Sequence, residues 1–444
     1  MAELFRGPRM PVLPLLHFVV DPLEMVRQCA ERYGDPFIAT LPLGRLVVMG
    51  TSEAIKEFFT ADGSLFEPNA HTPLEPVVGS NSLLLVAGAR HQRERKLLMP
   101  PFHGERMRAY GRLMQRIAVE AMERMRPGED FKALHLAQET ALEVIIRAVF
   151  GVEEPERVRH FARVTVDFVN AYGPIIAMLK VSRQPWFKPW TQYKQKYAAF
   201  EQLLLEQVER RRASNTGGED ILSLLLAVRD EEGHPMSDEE LRDELRTMLV
   251  AGHETSAISM AWAMYWIHRQ PEVKQRLEQE LATLGPSPEP DALVKLPYLS
   301  AVIDETLRIC PVFAMTSRRT VAPFKLLGHE LPIGTRLAAS ITLAHYNPKV
   351  FPEPERFRPE RFLEHKFSPY EYLPFGGGYR RCIGMAFALY EIKVLVGTLL
   401  ANYRFTLTHT GPVKMARRNL SLGPSVPIPM RYEGKAPAVT SAAA

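Results

Sequence analysis

Cysteine is scarce in this 444-residue chain, which has only Cys29, Cys310 and Cys382. Thiols so few and so far apart make no disulfide framework, no CxxC pair and no zinc-ligand spacing, and they point to a reducing compartment. An excess of either charge is also absent. Fifty-five basic residues against 51 acidic ones leave a net charge of +4, too balanced for a dedicated nucleic-acid binder. The N-terminus has no long apolar run either. The N-terminal stretch MPVLPLLHFVV is interrupted by Pro11 and Pro14, too short and broken to span a bilayer and without a small-residue cleavage site. A cytoplasmic protein with no membrane span and no nucleic-acid partner is therefore expected. No internal repeat, low-complexity linker, dinucleotide fingerprint or flavin module is visible.

What remains is ordinary globular material, 46% hydrophobic and 24% charged, enough to bury a large core and enclose an organic cofactor. A prior of about 150 residues per domain would give roughly three domains. The pattern fits one large α-rich unit better. Asp21 to Tyr33 reads as a helix stopped by Gly34, and PFIATLPLGRLVVMG as two strands around Pro42 to Gly44. From Ala89 to Leu284 the periodicity is almost wholly helical. Within it, Ala171 to Lys194 is broken by prolines and rich in aromatics, as suits a mobile loop over a pocket. Ser237-Asp238-Glu239-Glu240 is a capping-box start for a helix reaching about Gln270, and its middle, MLVAGHETSAISMAWAM, is apolar on most sides and so should be buried. Strand signals return after Pro311, Tyr346 to Arg381 reads as proline-punctuated coil, and a last helix at about Ile383 to Ala401 precedes a terminal hairpin. The expected class is mainly α with small β-sheets.

Chemistry concentrates at FGGGYRRCIG, where Cys382 stands just before the last helix. First-turn amides and the positive end of the helix dipole should favour its thiolate. Gly376, Gly377 and Gly378 permit a tight turn, Gly384 allows something flat to approach, and Arg380 and Arg381 add positive potential. Such a thiolate serves as a nucleophile or a metal ligand. A nucleophile needs a base, and no histidine lies within sixteen residues.

The segment Phe375-x-x-Gly378-x-Arg380-x-Cys382-x-Gly384 resembles the haem-binding signature of the cytochrome P-450 superfamily at every defined position. The resemblance implies haem b held by the Cys382 thiolate, which pushes electron density toward iron and favours O–O cleavage of the cosubstrate O2. Phe375 would pack beside the sulfur, with Gly376 and Gly384 near the ring, and Arg380 would pair with a propionate. Glu305-Thr306-Leu307-Arg308, on a helix from about Pro297 to Ile309, is similar to the family's ExxR. Its third partner would come from a PxRF segment. Arg361 is preferred over Arg356 for its distance from the cysteine, and these three would brace the haem-binding coil. Ala251-Gly252-His253-Glu254-Thr255 resembles the oxygen-binding helix, where glycine and a hydroxyl bonded to a carbonyl should widen the groove. Thr255 would hydrogen-bond the oxygen being activated and Glu254 relay protons through water. His253 is expected to be structural. His91 and Arg95, one helical turn apart, would meet a propionate, as would either Arg318 or Arg319, with Arg318 favoured.

The resemblance covers nearly the whole chain, as a single domain over 1–432 with a flexible tail over 433–444, and the haem between the long helix and the cysteine helix. It is nearest to soluble bacterial members of the eukaryote-like class, similar to cyanobacterial and myxobacterial fatty-acid and terpenoid hydroxylases. It implies a monomeric monooxygenase that hydroxylates or epoxidises a lipophilic substrate such as a fatty acid, terpenoid or steroid. Apolar pocket residues would be Leu84, Leu85, Met248, Ala251, Val312, Phe313, Ala314 and, at the Leu420–Pro424 turn, Leu422. With no room for a fused reductase, electrons are expected from a ferredoxin or flavodoxin with its own reductase, docking on Arg93, Arg95, Lys96, Arg380 and Arg381. Rival readings are a peroxide-driven hydroxylase or isomerase on the same fold, or a non-catalytic haem sensor or lipid-binding protein. Glu254 and Thr255 weigh against each.

Overall fold

Local signals start the fold. The Asp21 carboxylate accepts the Glu24 amide at 3.0 Å to begin helix α1, Pro22–Tyr33, and Gly34 ends it at φ 94°. The computed structural model describes residues 5–8, 21–41, 44–68, 74–102, 106–173, 176–177, 180–214, 218–285, 288–418 and 421–437. The apolar N-terminal stretch with Pro11 and Pro14 lies outside these, as do Leu420 and the last seven residues.

After α1 come strands β1 (Phe37–Leu41) and β2 (Gly44–Met49), helix α2 (Ser52–Thr60), β3 (Phe66–Glu67) and α3 (Glu75–Val78). Helices α4 (Gly88–Leu98), α5 (Arg106–Glu123), α6 (Ala133–Ala148), α7 (Pro155–Ala171), α8 (Lys188–Ala213), α9 (Ile221–Ala227), α10 (Asp238–Arg269), α11 (Pro271–Ala282), α12 (Pro290–Val294) and α13 (Pro297–Ile309) form the bulk, with β4 (Asp130–Lys132) before α6. Strands β5 (Met315–Thr320), β6 (Phe324–Leu326), β7 (His329–Leu331) and β8 (Arg336–Ser340) lead into α14 (Ile341–His345). A long coil holding α15 (Arg361–Glu364) runs to the final helix α16 (Met385–Asn402), then β9 (Tyr403–Leu407), β10 (Met415–Arg418), β11 (Ser421–Pro424) and β12 (Pro429–Lys435).

The larger sheet has the order β1-β2-β8-β5-β3. Its β2 and β8 run parallel, the other pairs antiparallel. In a second sheet β12 lies between β4 and β9. The capping box forms as the sequence predicts, Ser237 and Glu240 each satisfying the other's amide. Helix α10 spans about 48 Å at 1.5 Å per residue and packs on α6, α13 and α16. That explains its lack of a polar face, since Ala257, Ile258, Ala261 and Trp262 are all buried in the core.

Four readings of the sequence need correction. Strand β4 interrupts the stretch read as helical, because its partner β12 lies at the other end of the chain. The proline-broken segment is shorter than Ala171–Lys194: α8 begins at Lys188 with Pro189 in its first turn, where a missing amide costs nothing. Ser421–Pro424 is a strand paired with β10, not a turn. Glu433 to Lys435, assigned to the tail, belong to β12 beside β9.

Candidate active site

The turn before α16 is shaped by what it packs against. The Cys382 amide donates to the Phe375 carbonyl at 3.0 Å, closing the loop. Gly376 and Gly378 sit at φ +65° and +64°, and a Cβ on Gly377 would lie 2.1 Å from the Phe59 ring. Around Gly384, by contrast, a Cβ would meet nothing within 4 Å. The glycine beside the cysteine is therefore not demanded by protein neighbours, and it leaves room for a flat group.

Cys382 is the one solvent-accessible cysteine, Cys29 and Cys310 being buried. Its thiol pKa is not lowered as the dipole argument predicts. Desolvation pushes it up and outweighs the Gly384 amide and the charges of Arg95 and Arg381. A thiol in that position ionises when a metal cation binds it.

Four basic side chains surround the loop. Alternation along β5 buries Arg318 and turns Arg319 outward to Glu67, Nε to Oε1 2.7 Å. Arg318 donates to the Gly377 carbonyl at 2.7 Å, stacks over the Tyr379 ring at 4.5 Å, and leaves Nε buried without a partner. Burial lowers its pKa to about 10, so it stays charged at neutral pH. Arg380 donates to the carbonyls of Leu83 (2.9 Å) and Val86. The Arg95 side chain makes no hydrogen bond or ion pair with any described residue. His91 is buried edge-on to Tyr379, and burial with the charges of Arg380, Arg95 and Arg318 pushes it down to about 4, leaving it neutral. No carboxylate pairs with Arg95, Arg318 or Arg380 among the described residues. The open Gly384, the accessible thiol and the orphaned Arg318 Nε together fit a flat, metal-bearing group with anionic substituents.

On α10, Thr255 donates its hydroxyl to the Ala251 carbonyl at 2.6 Å. Helical structure nevertheless runs unbroken through 251–255, so the expected opened turn does not form. Gly252 has a different task from the expected one: a Cβ there would lie 2.5 Å from Ile145 Cδ1, so the glycine lets α10 approach α6. Ala251 is exposed in the middle of a helix that is mostly buried. Burial raises the Glu254 carboxyl above its ordinary range, opposed by Arg418. His253 is buried and pushed down to about 4.

Sequence reasoning missed Glu391. This lone acid in the apolar turn-work of α16 accepts the Ser256 hydroxyl at 2.6 Å, and burial pushes it up to about 8. It pins the cysteine helix to the residue after Thr255.

Segment 81–86 is clasped between α10 and the cysteine loop. Asp243 accepts from the Asn81 amide at 2.9 Å, Glu244 accepts from the Leu83 amide at 2.5 Å, and Thr247 bonds Ser82 at 2.7 Å. Arg380 holds the other side. Leu84 and Phe313 are exposed, while Leu85, Met248 and Ala314 are half-buried. Val312 and Leu422 are buried, and the Leu422 amide donates to the Val312 carbonyl at 2.7 Å.

Glu305, Arg308 and Arg361 meet in the interior. Arg308 Nε and Arg361 Nε donate to the Glu305 carboxylate at 2.7 and 3.0 Å. Arg356 stays outside with Glu353, at 3.4 Å. His345, also missed, joins this cluster to the loop: its Nδ1 bonds the Arg308 carbonyl at 3.1 Å and its Nε2 accepts the Leu373 amide at 2.9 Å.

The basic docking face needs correction. Arg93 is spent on Asp230 (2.7 Å) and Glu240 (3.4 Å), and Lys96 on Glu231 (2.8 Å). Those acids follow in sequence more than a hundred residues later, so proximity along the chain misjudged the free charge. Arg381 is exposed, and α5, packed on α16, exposes Arg106, Arg112 and Arg116 with no ion pair among the described residues.

A family model described as Cytochrome P450 matches residues 6–429. A Mycobacterium tuberculosis protein named as cytochrome P450 135A1 is 34% identical over 389 residues, covering 86% of this chain and 84% of its own. Another from that organism, named as cytochrome P450 137, is 32% identical over 402 residues, 89% and 82% of the two chains. Among solved structures, the retinoic acid-bound cyanobacterial CYP120A1 superposes with a TM-score of 0.86 over 97% of this chain and 98% of its own, at 23% identity.

Proposed function

Because the chain belongs to the cytochrome P450 family and is a haem monooxygenase, we propose that it hydroxylates or epoxidises a lipophilic molecule, using electrons from a separate protein. Haem, when bound, supplies the redox centre at which O2 is activated. The observation that carries the reading is the accessible Cys382 thiol beside arginines without carboxylate partners. Cys382 would hold the metal, with Arg95, Arg318, Arg380 and His91 holding the propionates and excluding other anions. The exposed apolar side chains of Leu84, Ala251 and Phe313 support a pocket that binds by burial. Retinoic acid, bound in the similar fold, is likewise mostly hydrocarbon, with one carboxyl group. Titration with lipophilic compounds tests this: one of them should shift the haem spectrum to high spin, and a panel of fatty acids, terpenoids and steroids without any shift would count against it.

Thr255 and Glu254 are proposed to deliver protons. With its one proton donated to the Ala251 carbonyl, the Thr255 hydroxyl keeps its oxygen free to accept a hydrogen bond and so to hold a water or a protonated oxygen in place. Glu254, raised by burial, keeps its proton at a pH where an exposed carboxylate has lost it. Thr255→Ala is expected to keep ligand affinity while product formed per electron pair falls by at least about tenfold. Since the protonated acid is the donor, coupling in the parent should decline as pH rises through the elevated Glu254 pKa. Glu254→Gln should flatten that decline. Unchanged coupling in both variants would remove them from the proton path.

Electrons are proposed to enter over α5 and the cysteine loop, where Arg106, Arg112, Arg116 and Arg381 attract an acidic ferredoxin or flavodoxin. Arg112→Glu with Arg116→Glu should slow reduction by such a donor by about tenfold at low salt and much less at high salt. Arg93→Glu should act through lost internal pairing and leave the salt dependence unchanged. The reverse pattern would restore the Arg93 face.

A further inference from the structure

From residue 392 to residue 432 the chain has no aspartate or glutamate, while Lys393, Arg404, Lys414, Arg417, Arg418 and Arg431 are basic. The hairpin of β10 and β11 lies in this stretch, so any counter-charge for its arginines must come from elsewhere. Two of them sit side by side near its tip, Arg417 across from Leu422 and Arg418 across from Ser421.

The hairpin is fixed against the site. Strand β11 is buried over its whole length and packs on α10. The Leu422 amide donates to the Val312 carbonyl at 2.7 Å, next to the exposed Phe313, and the Ser421 hydroxyl donates to the Arg418 carbonyl at 2.9 Å. Gly423 leaves a lane for the Arg418 side chain across this strand: a Cβ there would lie 2.5 Å from Arg418 Cδ and 3.4 Å from Ile258 Cδ1. Ile258 stands one helical turn after Glu254 on α10, and the charge of Arg418 is felt at Glu254, where it opposes the effect of burial. Yet no ion pair forms between the two. Arg418 is half-buried, its guanidinium hydrogen-bonds no described residue, and its Nε is buried without a partner. A cation in that position is costly unless an anion meets it.

We propose that Arg418 receives a carboxylate of the substrate, which makes the substrate a lipophilic carboxylic acid. This deepens the reading of a lipophilic substrate at the same site and rests on it. The planar guanidinium fork matches a carboxylate in two parallel hydrogen bonds, and the exposed Ala251 and Phe313 offer apolar surface to the rest of the molecule. One guanidinium beside an acid balances a single negative charge, so it suits a carboxylate better than a phosphate, which carries about two. The arginines assigned to the propionates are a separate set. Arg318 and Arg380 are bonded to the cysteine loop and to segment 83–86, whereas Arg418 lies against α10. Burial favours the neutral form of Glu254, and that leaves the cation to the substrate.

Spectral titration of the full-length haem-loaded protein tests it. Palmitic acid and abietic acid should shift the haem to high spin with dissociation constants about tenfold or more below those of palmityl alcohol and methyl abietate. Arg418→Gln should weaken the acids by about tenfold and leave the uncharged pair unchanged, and Arg418→Lys should retain part of the preference. Gly423→Ala, which keeps the charge but displaces the side chain that carries it, should also lower the preference. Lys414→Gln, which removes an exposed cation of the same hairpin, should not. The reduced carbon monoxide spectrum of each variant checks that the haem site is intact. Equal affinity of the parent for the acids and their uncharged counterparts would overturn the proposal, as would equal weakening of both by Arg418→Gln. An acid preference that survives Arg418→Gln while the pH dependence of coupling shifts would assign Arg418 to Glu254 alone. A shift by the uncharged pair only would remove the anchor and leave the lipophilic-substrate reading standing, whereas no shift by any of these compounds would overturn both.

Discussion

Replacing Cys382 by serine is expected to abolish the strongly red-shifted carbonyl band of the reduced haem protein and to reduce monooxygenase turnover to background. The fold should survive, because the loop is closed by the backbone amide of residue 382, bonded to the Phe375 carbonyl at 3.0 Å, and not by the side chain. What is lost is the soft, ionisable sulfur. A serine hydroxyl holds its proton far more tightly than a thiol and donates less electron density to iron. Cys382→His should still bind haem through imidazole, with its band at the shorter wavelength of that ligand and no oxygen insertion.

Alkylation gives a second readout that does not require activity. Cys29 and Cys310 are buried, so iodoacetamide reports on Cys382 alone. Apoprotein should be labelled once and haem-loaded protein hardly at all. Equal labelling of both forms would mean that the haem sits elsewhere. A red-shifted carbonyl band that persists in Cys382→Ser would lead to the same conclusion.

What the sequence makes legible here is local or periodic. The glycine turn, the capping box of α10 and the i, i+3 spacing of Glu305 and Arg308 all declare themselves within a few residues. Period-two alternation is enough to separate buried Arg318 from outward Arg319. What stays hidden depends on residues far apart in the chain. His345 is one of 13 histidines, and only tertiary packing brings its ring between the Arg308 carbonyl and the Leu373 amide. Arg93 and Lys96 look like free charge because their partners lie beyond α9. Glu391 offers a better signal, an acid within FALYEIKVLVGTLL, but its partner Ser256 is 135 positions away. The thiol shows the same limit energetically. The helix dipole is visible in sequence, whereas the desolvation that outweighs it is not.

The largest stability effect should come from Glu305. Its carboxylate is fully buried and accepts from Arg308 Nε and Nη2 (2.7 and 2.9 Å), the Arg358 amide (2.9 Å) and Arg361 Nε (3.0 Å). Removing it leaves two buried guanidinium groups with no anion, which costs about 3–5 kcal/mol. That is a large part of the roughly 5–15 kcal/mol that holds a domain folded. Glu305→Ala is expected to accumulate poorly or to unfold at a much lower temperature. Glu305→Gln, which keeps an oxygen but not the charge, should fall between it and the parent. Arg356→Ala breaks only an exposed pair with Glu353 and should change stability by less than about 1 kcal/mol, so similar losses in Glu305→Gln and Arg356→Ala would refute the brace. Haem retention should fall with Glu305 as well, because His345 carries the brace to the loop. His345 is buried and held down to about 3 from its usual 6.5, so it is neutral in the folded protein. Its contribution is present in full above about pH 6.5 and declines as pH falls toward 3, because the unfolded chain takes up the proton first. The stability difference between the parent and His345→Gln should therefore shrink from pH 7 to pH 5. A constant difference would mean that the ring acts by shape alone and that the loop is held by the carboxylate–arginine pairs without it.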